Sequence, residues 1–442
     1  MPSTESEFDD ESTYCLMYVG RSTFQIDQTC GNRLERLGDE GFDVHVLAAE
    51  DGGRDALEER GIDVRPLPIT HGPGRVASLA ASFVIMQSYF IEHEPLLVHG
   101  TGGVLAWVTA VAADRVDTPG IFATVEDHVW DPEGLDLGET RARLWAPGRI
   151  QELEESLGEF LSGTMERGVA AMYRSLGELC DKYLVSNESD YRQLRERDLV
   201  PAPKLEYQAG GDGVDLDSFD PESDEFPSVD EAREELGVPE DWDRVLGYRG
   251  PIRADRDGLG LLDIIDAVAS ARPGVGWFIS PERRADEGMV ERLRRRAERG
   301  QLRVVPAKDR PRYFRTLDLY VEPRRRPGHS PQVKEAAAMS VPSVATRTPA
   351  TAEAIEDGET GWLVDTASSD AVADQVVRIS GAPKMLKNAG IRARARARER
   401  FNARYIDEQI LRLYDSVLSE RLASPGESKP VDSPDMNQQS DD

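Results

Sequence analysis

The sequence predicts an α/β protein of two successive parallel-sheet domains. Three observations carry that reading. Short apolar strands alternate with amphipathic helical stretches along nearly the whole chain. A stretch rich in Gly, Asp, Ser and Pro at 210–227 divides the alternation into two series. A length of 442 residues with 39% hydrophobic content suffices for two cores.

The first series opens with an apolar strand at 14–19, which Gly20 ends. Ile26, Cys30, Leu34 and Leu37 recur at helical spacing, Gly41 stops that helix, and 42–47 forms the second strand. A strand at 64–66, a helix around 76–90 and a strand at 96–99 follow. Residues 100–103 turn into a helix at 104–113, and then come a strand at 121–125, a long helical region at 149–180, and strands at 183–185 and 205–208. In the second series strands read at 244–248, 276–279, 302–305, 319–322, 343–346 and 362–364. Helices fall between them at 261–271, 286–299 and 332–339. Helical segments at 369–379, 385–400 and 403–423 close the chain. The domains are therefore expected at 12–212 and 229–402, with 213–228 as linker. The tails 1–11 and 424–442, polar and acidic, are expected to be disordered.

Charge narrows the function classes. The chain carries 82 acidic against 53 basic residues, most of the latter Arg, for a net charge of -29. Such a surface over an ordinary core suggests adaptation to high salt, where self-repulsion is screened. It argues against non-specific nucleic-acid binding, which needs basic patches. The dense basic runs at 292–299 and 392–400 interleave with Glu or Ala and read as solvated helix faces. Cys15, Cys30 and Cys180 show no metal spacing, a count that fits a reducing, cytoplasmic setting. No signal peptide and no apolar run of about 20 residues is present, although peripheral membrane contact stays open. The insertion-like stretch 130–160 reads either as a lipid-touching segment or as an exposed helix, the second being the commoner case.

The richest segment for chemistry is 334–365, KEAAAMSVPSVATRTPATAEAIEDGETGWLVD. It reads as helix, Pro turn, strand, loop, helix, Gly turn, strand. Glu335 heads a run of small residues that lets a ligand or the sheet approach closely. A carboxylate there can accept two ribose hydroxyl hydrogen bonds, or it can simply sit in solvent in the first turn of a helix. Gly100-Thr-Gly-Gly lacks the spacing of a dinucleotide or P-loop motif, and no GxSxG or HExxH occurs. Asp-x-Asp pairs, as at Asp215 and Asp255, are expected by chance in an acidic chain.

This segment resembles the signature of family 4 glycosyltransferases. Glu335 matches the second Glu of that signature, 340–346 its strand entry, and 354–364 its closing segment. Residues 185–194 (VSNESDYRQL), 213–221 (GVDLDSFDP), 246–267, 317–323 and 31–47 are similar to further parts of the family, so the likeness covers most of 14–420. It implies a GT-B fold: two Rossmann-like domains facing each other across a cleft, with 403–423 crossing back onto the first. It implies a retaining glycosyltransferase that uses a UDP- or GDP-linked sugar and a glycan, lipid-linked or small-molecule acceptor, with no cofactor and no metal.

The resemblance also assigns roles. Glu335 would bind the donor ribose, and Gly328, His329, Ser330, Pro331 and Val333 would lie along the sugar and diphosphate, largely through backbone N–H groups. Arg253 and Arg256 would stabilise the departing diphosphate. Gly20 opens a small-residue loop beside the transfer site. His99, Glu126 and His128 are candidates to face the donor sugar or the acceptor hydroxyl, and for each His a satisfied core position is the competing reading. The acceptor would dock around 21–25, 70–78 and 126–150. Departures are plain: Pro327 stands where the family has its first Glu, Arg21 replaces the second Gly of a pair after Gly20, the phosphate loop after Gly250 is one residue longer, and Ser280–Pro281 replaces a Gly-x-Gly. These motivate two other readings, a non-catalytic nucleotide-sugar-binding or assembly subunit, and a sugar-nucleotide epimerase with the same architecture. Oligomeric state is not read from the sequence.

Overall fold

The computed structural model describes residues 14–69, 75–123, 167–223, 227–250, 252, 260–281, 285–305, 309–324, 330–365 and 368–423. The expected tails and the 130–160 insertion lie outside them.

The first half contains β1 (Tyr14–Val19), α1 (Thr23–Asp39), β2 (Phe42–Ala48), α2 (Arg54–Glu59), β3 (Asp63–Pro66), α3 (Arg75–His93), β4 (Leu97–Thr101), α4 (Gly103–Asp114), β5 (Gly120–Ala123), a helix α5 at 167–179, β6 (Lys182–Val185), α6 (Glu188–Glu196) and β7 (Leu205–Tyr207). Its seven strands pair in the order β3-β2-β1-β4-β5-β6-β7, all parallel. The second half contains α7 (Val229–Glu235), β8 (Arg244–Gly250), α8 (Leu261–Ala271), β9 (Val275–Pro281), α9 (Glu287–Ala297), β10 (Leu302–Val304), α10 (Arg310–Arg315), β11 (Leu319–Glu322), α11 (Pro331–Ala338), β12 (Ser343–Thr346), α12 (Pro349–Ala354), β13 (Gly361–Val364), α13 (Ser369–Ser380), α14 (Pro383–Arg400) and α15 (Ala403–Ala423). Its sheet runs β10-β9-β8-β11-β12-β13, again parallel. In both sheets the chain starts in the middle, winds to one edge and returns to wind the other way. The order therefore reverses between β1 and β4, and between β8 and β11. A crevice opens outside the carboxyl ends of the strands at such a point, and ligands bind there.

Local chemistry sets the helix starts. Ser22 caps α1 by accepting from the Gln25 amide, Asn187 caps α6, Asp286 caps α9 and Asp309 caps α10. Each sheet is covered on both faces. In the first domain Leu16, Val44 and Val46 pack with α1 on one side, and Met17, Val19 and Leu47 pack with α3 and α4 on the other. In the second, Leu246, Trp277 and Val321 face α8 and α13, while Val245, Phe278 and Tyr320 face α10, α11 and α14. Strands buried on both faces read as unbroken apolar runs.

One local expectation is corrected. The fourth strand does not stop at His99 but runs on to Thr101, because Gly100 pairs with both Val19 and Phe122. That places His99 inside the sheet and not at its rim. The stretch between β10 and β11 also contains a further helix, α10.

The last helix, α15, lies on the core of the first domain, where Ile406, Ile410, Tyr414 and Val417 are buried among residues of β1 and α1. Burying each of these side chains stabilises the contact by roughly 1.5–3 kcal/mol. The chain thus crosses between the domains twice, and the crossings bind each other. The Val214 amide donates to the Phe401 carbonyl at 2.7 Å and the Ala403 amide to the Val214 carbonyl at 3.0 Å. Gly213 sits at φ +73, and a Cβ there would meet the Phe401 carbonyl at 2.8 Å, so only Gly lets the two crossings lie this close.

Candidate functional site

Both switch points present polar groups. In the first domain the loop from β1 to α1 is held by Asp51, which accepts from Ser22 Oγ at 2.5 Å, Thr23 Oγ1 at 3.0 Å and the Phe24 amide at 2.9 Å. A small open cavity lies there, lined by Tyr18, Arg21, Ser22, Gln25, Thr29 and Thr101 among others. Gly20 precedes it in a tight place: a Cβ on it would meet Ile26 Cδ1 at 2.8 Å and Thr101 Oγ1 at 3.2 Å.

In the second domain β11 ends at Glu322, which is 1% exposed. Tyr320 Oη lies 2.7 Å from Glu322 Oε2 and 2.9 Å from the Arg249 carbonyl, and Arg324 Nε donates to Glu322 Oε1. After β11 the chain enters α11 at Ser330. Pro331 takes the first helical position, where a missing N–H costs nothing. Ser330 is buried, makes no side-chain cap, and its Oγ has no hydrogen-bond partner; Thr346 Oγ1, at the end of β12, has none either. A buried hydroxyl without a partner costs about 1–3 kcal/mol. Two at one sheet edge, beside a helix N-terminus that favours anions, suit a phosphate-bearing ligand.

Glu335 stands one turn into α11 and is buried at 5% exposure. Arg310 Nη1 donates to its Oε1 at 2.6 Å, and the Arg310 guanidinium lies 5.6 Å from the centre of the Phe219 ring. The surface-Glu reading therefore fails: this carboxylate is inside, tethered and aligned. Ala336, Ala337 and Ala338 pack into the core beneath it. Lys334, also buried, turns the other way and donates to the Gly210 carbonyl at 2.6 Å, its ammonium 5.5 Å from the Phe401 ring centre. The helix that carries Glu335 is thus bolted directly to the two interdomain crossings.

The other sequence candidates separate cleanly. Ser330, Pro331 and Glu335 come together with Glu322 and Arg310, which the sequence reading did not single out. The Val333 side chain is 1% exposed and belongs to the core, and its amide donates to the Ser330 carbonyl at 3.3 Å. Glu126, His128, Arg253, Arg256, Gly328 and His329 lie outside the described residues, as does Pro327. Asp215 takes part in a turn, accepting from Ser218 and Asn32.

His99 is also corrected. It is 2% exposed, its Nδ1 is 2.6 Å from Tyr414 Oη on α15, and its ring packs on Tyr18. Burial, and then the nearby Arg33 charge, push it down to about 3. A neutral, enclosed imidazole clamping α15 is a structural group, not one placed to reach a sugar. The sign of the linkage is fixed. Below the ordinary value of 6.5 the unfolded chain binds a proton that the folded chain refuses, so stability is full above that pH and falls with acid down to about 3. The slope approaches about 1.4 kcal/mol per pH unit. Urea unfolding between about pH 5 and 6.5 is expected to show this loss in the wild type and a flatter profile in His99→Gln. Identical profiles would refute the assignment.

Comparison with known proteins agrees with this geometry. Residues 27–207 match the model of a glycosyl transferase 4-like domain, and residues 244–381 match that of glycosyl transferases group 1. The chain is 24% identical over 108 residues to the capsular polysaccharide biosynthesis glycosyltransferase CapM of Staphylococcus aureus, covering 24% of this chain and 28% of that one. It is 26% identical over 222 residues to the lipopolysaccharide core biosynthesis mannosyltransferase LpsB of Rhizobium meliloti, covering 47% and 60%. The matched segments thus span between about a quarter and three fifths of these relatives. Among solved structures, Anabaena Alr3699/HepE in complex with UDP and glucose superposes with a TM-score of 0.68 at 17% identity, covering 91% of this chain and 100% of that one. The two domains therefore form a GT-B fold. Among the described residues no helix is long and apolar enough to cross a membrane. With one matched domain in each half, together covering well over half of its length, the chain belongs to the group 1 glycosyltransferases.

Proposed function

We propose that the chain is a retaining glycosyltransferase of family 4 that moves a sugar from a UDP- or GDP-linked donor to a glycan or lipid-linked acceptor. The observation that carries this reading is the anion-ready edge of the second sheet, where the partnerless Ser330 and Thr346 hydroxyls and the N-terminus of α11 stand beside the tethered Glu335. Glu335 accepts hydrogen bonds from the donor ribose, and the helix N-terminus takes the diphosphate. Arg253 and Arg256, on the loop after Gly250, balance the charge that grows on the leaving nucleoside diphosphate, and no metal is needed. The acceptor docks on the first domain near the β1–α1 loop. Closure about the paired crossings excludes water, which would otherwise hydrolyse the donor. The polysaccharide-building relatives and the UDP complex of HepE support this direction.

A panel of UDP- and GDP-sugars incubated in molar potassium salt with oligosaccharide and lipid-linked acceptors tests it. Acceptor-dependent release of nucleoside diphosphate is expected, with NMR showing the donor's anomeric configuration kept in the product. An inverted product contradicts the retaining assignment. Donor binding with no release under any acceptor favours the non-catalytic subunit, the reading that Pro327 motivates.

A further inference from the structure

The first sheet has a second chemical cluster at its other edge, where β1, β2 and β3 begin, remote from the crevice at their carboxyl ends. The register sets Cys15 beside Asp43 and His45 beside Asp63. Residues two apart on a strand share a face, so Asp43 and His45 project together toward the side that α3 covers. Cys15 Sγ, a carboxylate oxygen of Asp43 and a ring nitrogen of His45 all lie within 4.8 Å of one another. Cys15 and His45 are buried, while the Asp43 side chain is half exposed and leaves the cluster open to solvent on one side.

We propose that Cys15, Asp43 and His45 form a transition-metal site of the zinc class, completed by water on the open side. Thiolate, imidazole and one carboxylate are the donor set that Zn2+ prefers over Mg2+ or Ca2+. A tetrahedral ion draws such donors to roughly 3.5 Å apart, so side-chain rotation suffices to close the set.

The surroundings of His45 are arranged for ligation. Its Nδ1 is 2.8 Å from Tyr89 Oη, and Tyr89 donates to Asp63 Oδ2 at 3.3 Å. In the tautomer whose Nδ1–H donates to Tyr89 Oη, Nε2 is the nitrogen that can ligate, and it lies 2.9 Å from Asp43 Oδ2. A ligand histidine whose other nitrogen is fixed by a hydrogen-bonded partner is the usual support of a metal site. His93, at the end of α3, stacks against both rings, with centroids 4.8 Å from His45 and 4.1 Å from Tyr89. Metal binding forms the S–metal bond and sends the Cys15 thiol proton to solvent, which makes affinity fall as pH falls. The ion would pin the starts of β1 and β2 together, with Tyr89 of α3 and Asp63 of β3 supporting His45, a stabilising role separate from transfer.

The test is a Co2+ titration of the reduced, chelator-stripped full chain in potassium sulfate, where chloride does not compete. One equivalent is expected to give a thiolate-to-cobalt charge-transfer band in the near ultraviolet, abolished by added Zn2+. Cys15→Ser should lose the band, Asp43→Asn and His45→Gln should weaken binding at least tenfold, and Tyr89→Phe about tenfold through the supporting shell. Absence of the band at excess Co2+ with Cys15 titrating as a free thiol would overturn the proposal. So would a band unchanged in a folded Cys15→Ser, which would move the thiolate to Cys30 or Cys180. If Cys15→Ser does not fold, an unchanged band in His45→Gln overturns it equally.

Discussion

Glu335→Ala is expected to weaken nucleoside diphosphate binding about a hundredfold and to erase the thermal shift that the nucleotide produces. A ligand at a hundred times its dissociation constant stabilises by about 2.7 kcal/mol. Two charge-assisted hydrogen bonds to a ribose are worth about 1.5–3 kcal/mol each, so losing them consumes that stabilisation. The variant also takes from Arg310 the Glu335 carboxylate it pairs with at 2.6 Å, so the unliganded protein should melt lower too. Melting curves with and without UDP, GDP and ADP separate the two effects. If Glu335 were merely structural, the unliganded melting point would drop while the ligand shift survived. Arg310→Gln should keep most of the shift, because it frees the carboxylate without removing it.

Arg33→Met is expected to cost about 3–5 kcal/mol of stability, the range for removing one partner of a buried ion pair. Arg33 is 2% exposed; its Nε donates to Asp407 Oδ1 at 2.6 Å and its Nη2 to Asp212 Oδ1 at 3.3 Å, with Arg36 on the far oxygen of Asp407 at 3.3 Å. This cluster joins α1, the first interdomain crossing and α15. Burial already pushes the Asp407 carboxyl up, with Arg33 opposing that shift, so losing the guanidinium leaves two carboxylates sharing a dry site with Arg36 alone. At about 2–4 °C per kcal/mol for a domain of this size, melting should fall by roughly 10 °C. Adding Asp407→Leu to Arg33→Met should recover part of the loss, since an apolar pair of similar volume replaces the charges. Because the cluster is buried, its contribution should change little between dilute buffer and molar salt, unlike that of exposed pairs. A fall under about 1 kcal/mol, the value of an exposed pair, would contradict the account.

Much of this architecture was legible in the residues. The strands at β1, β11, β12 and β13 and the helices α8, α14 and α15 show their period or their apolar run clearly. Glu335 could be named from the segment 334–365, and Ser330 from the family resemblance that this segment carries. What escaped did so for physical reasons. The helix α10 is six residues long, less than two turns, so no period develops, and with it went Arg310. His99 lies in a strand buried on both faces, where apolar alternation is absent and the direction of a side chain leaves no trace in the pattern. Gly100 reads as a turn, yet a central parallel strand accepted it. Glu322 is only the last residue of the strand read at 319–322; the fold brings the Tyr320 hydroxyl and Arg324 onto it. Cys15, Asp43 and His45 show no metal spacing in sequence because the register, not the chain, brings them together.

The most direct test of where the donor binds is hydrogen exchange of the full chain in molar potassium salt, with and without the nucleoside diphosphate that raises its melting point. Slowed exchange is predicted at the start of α11, residues 330–335, and at the end of β8, with little change in the β1–α1 loop. Protection confined to residues 20–25 of the first domain, or spread evenly over both, would contradict a donor site on the second sheet.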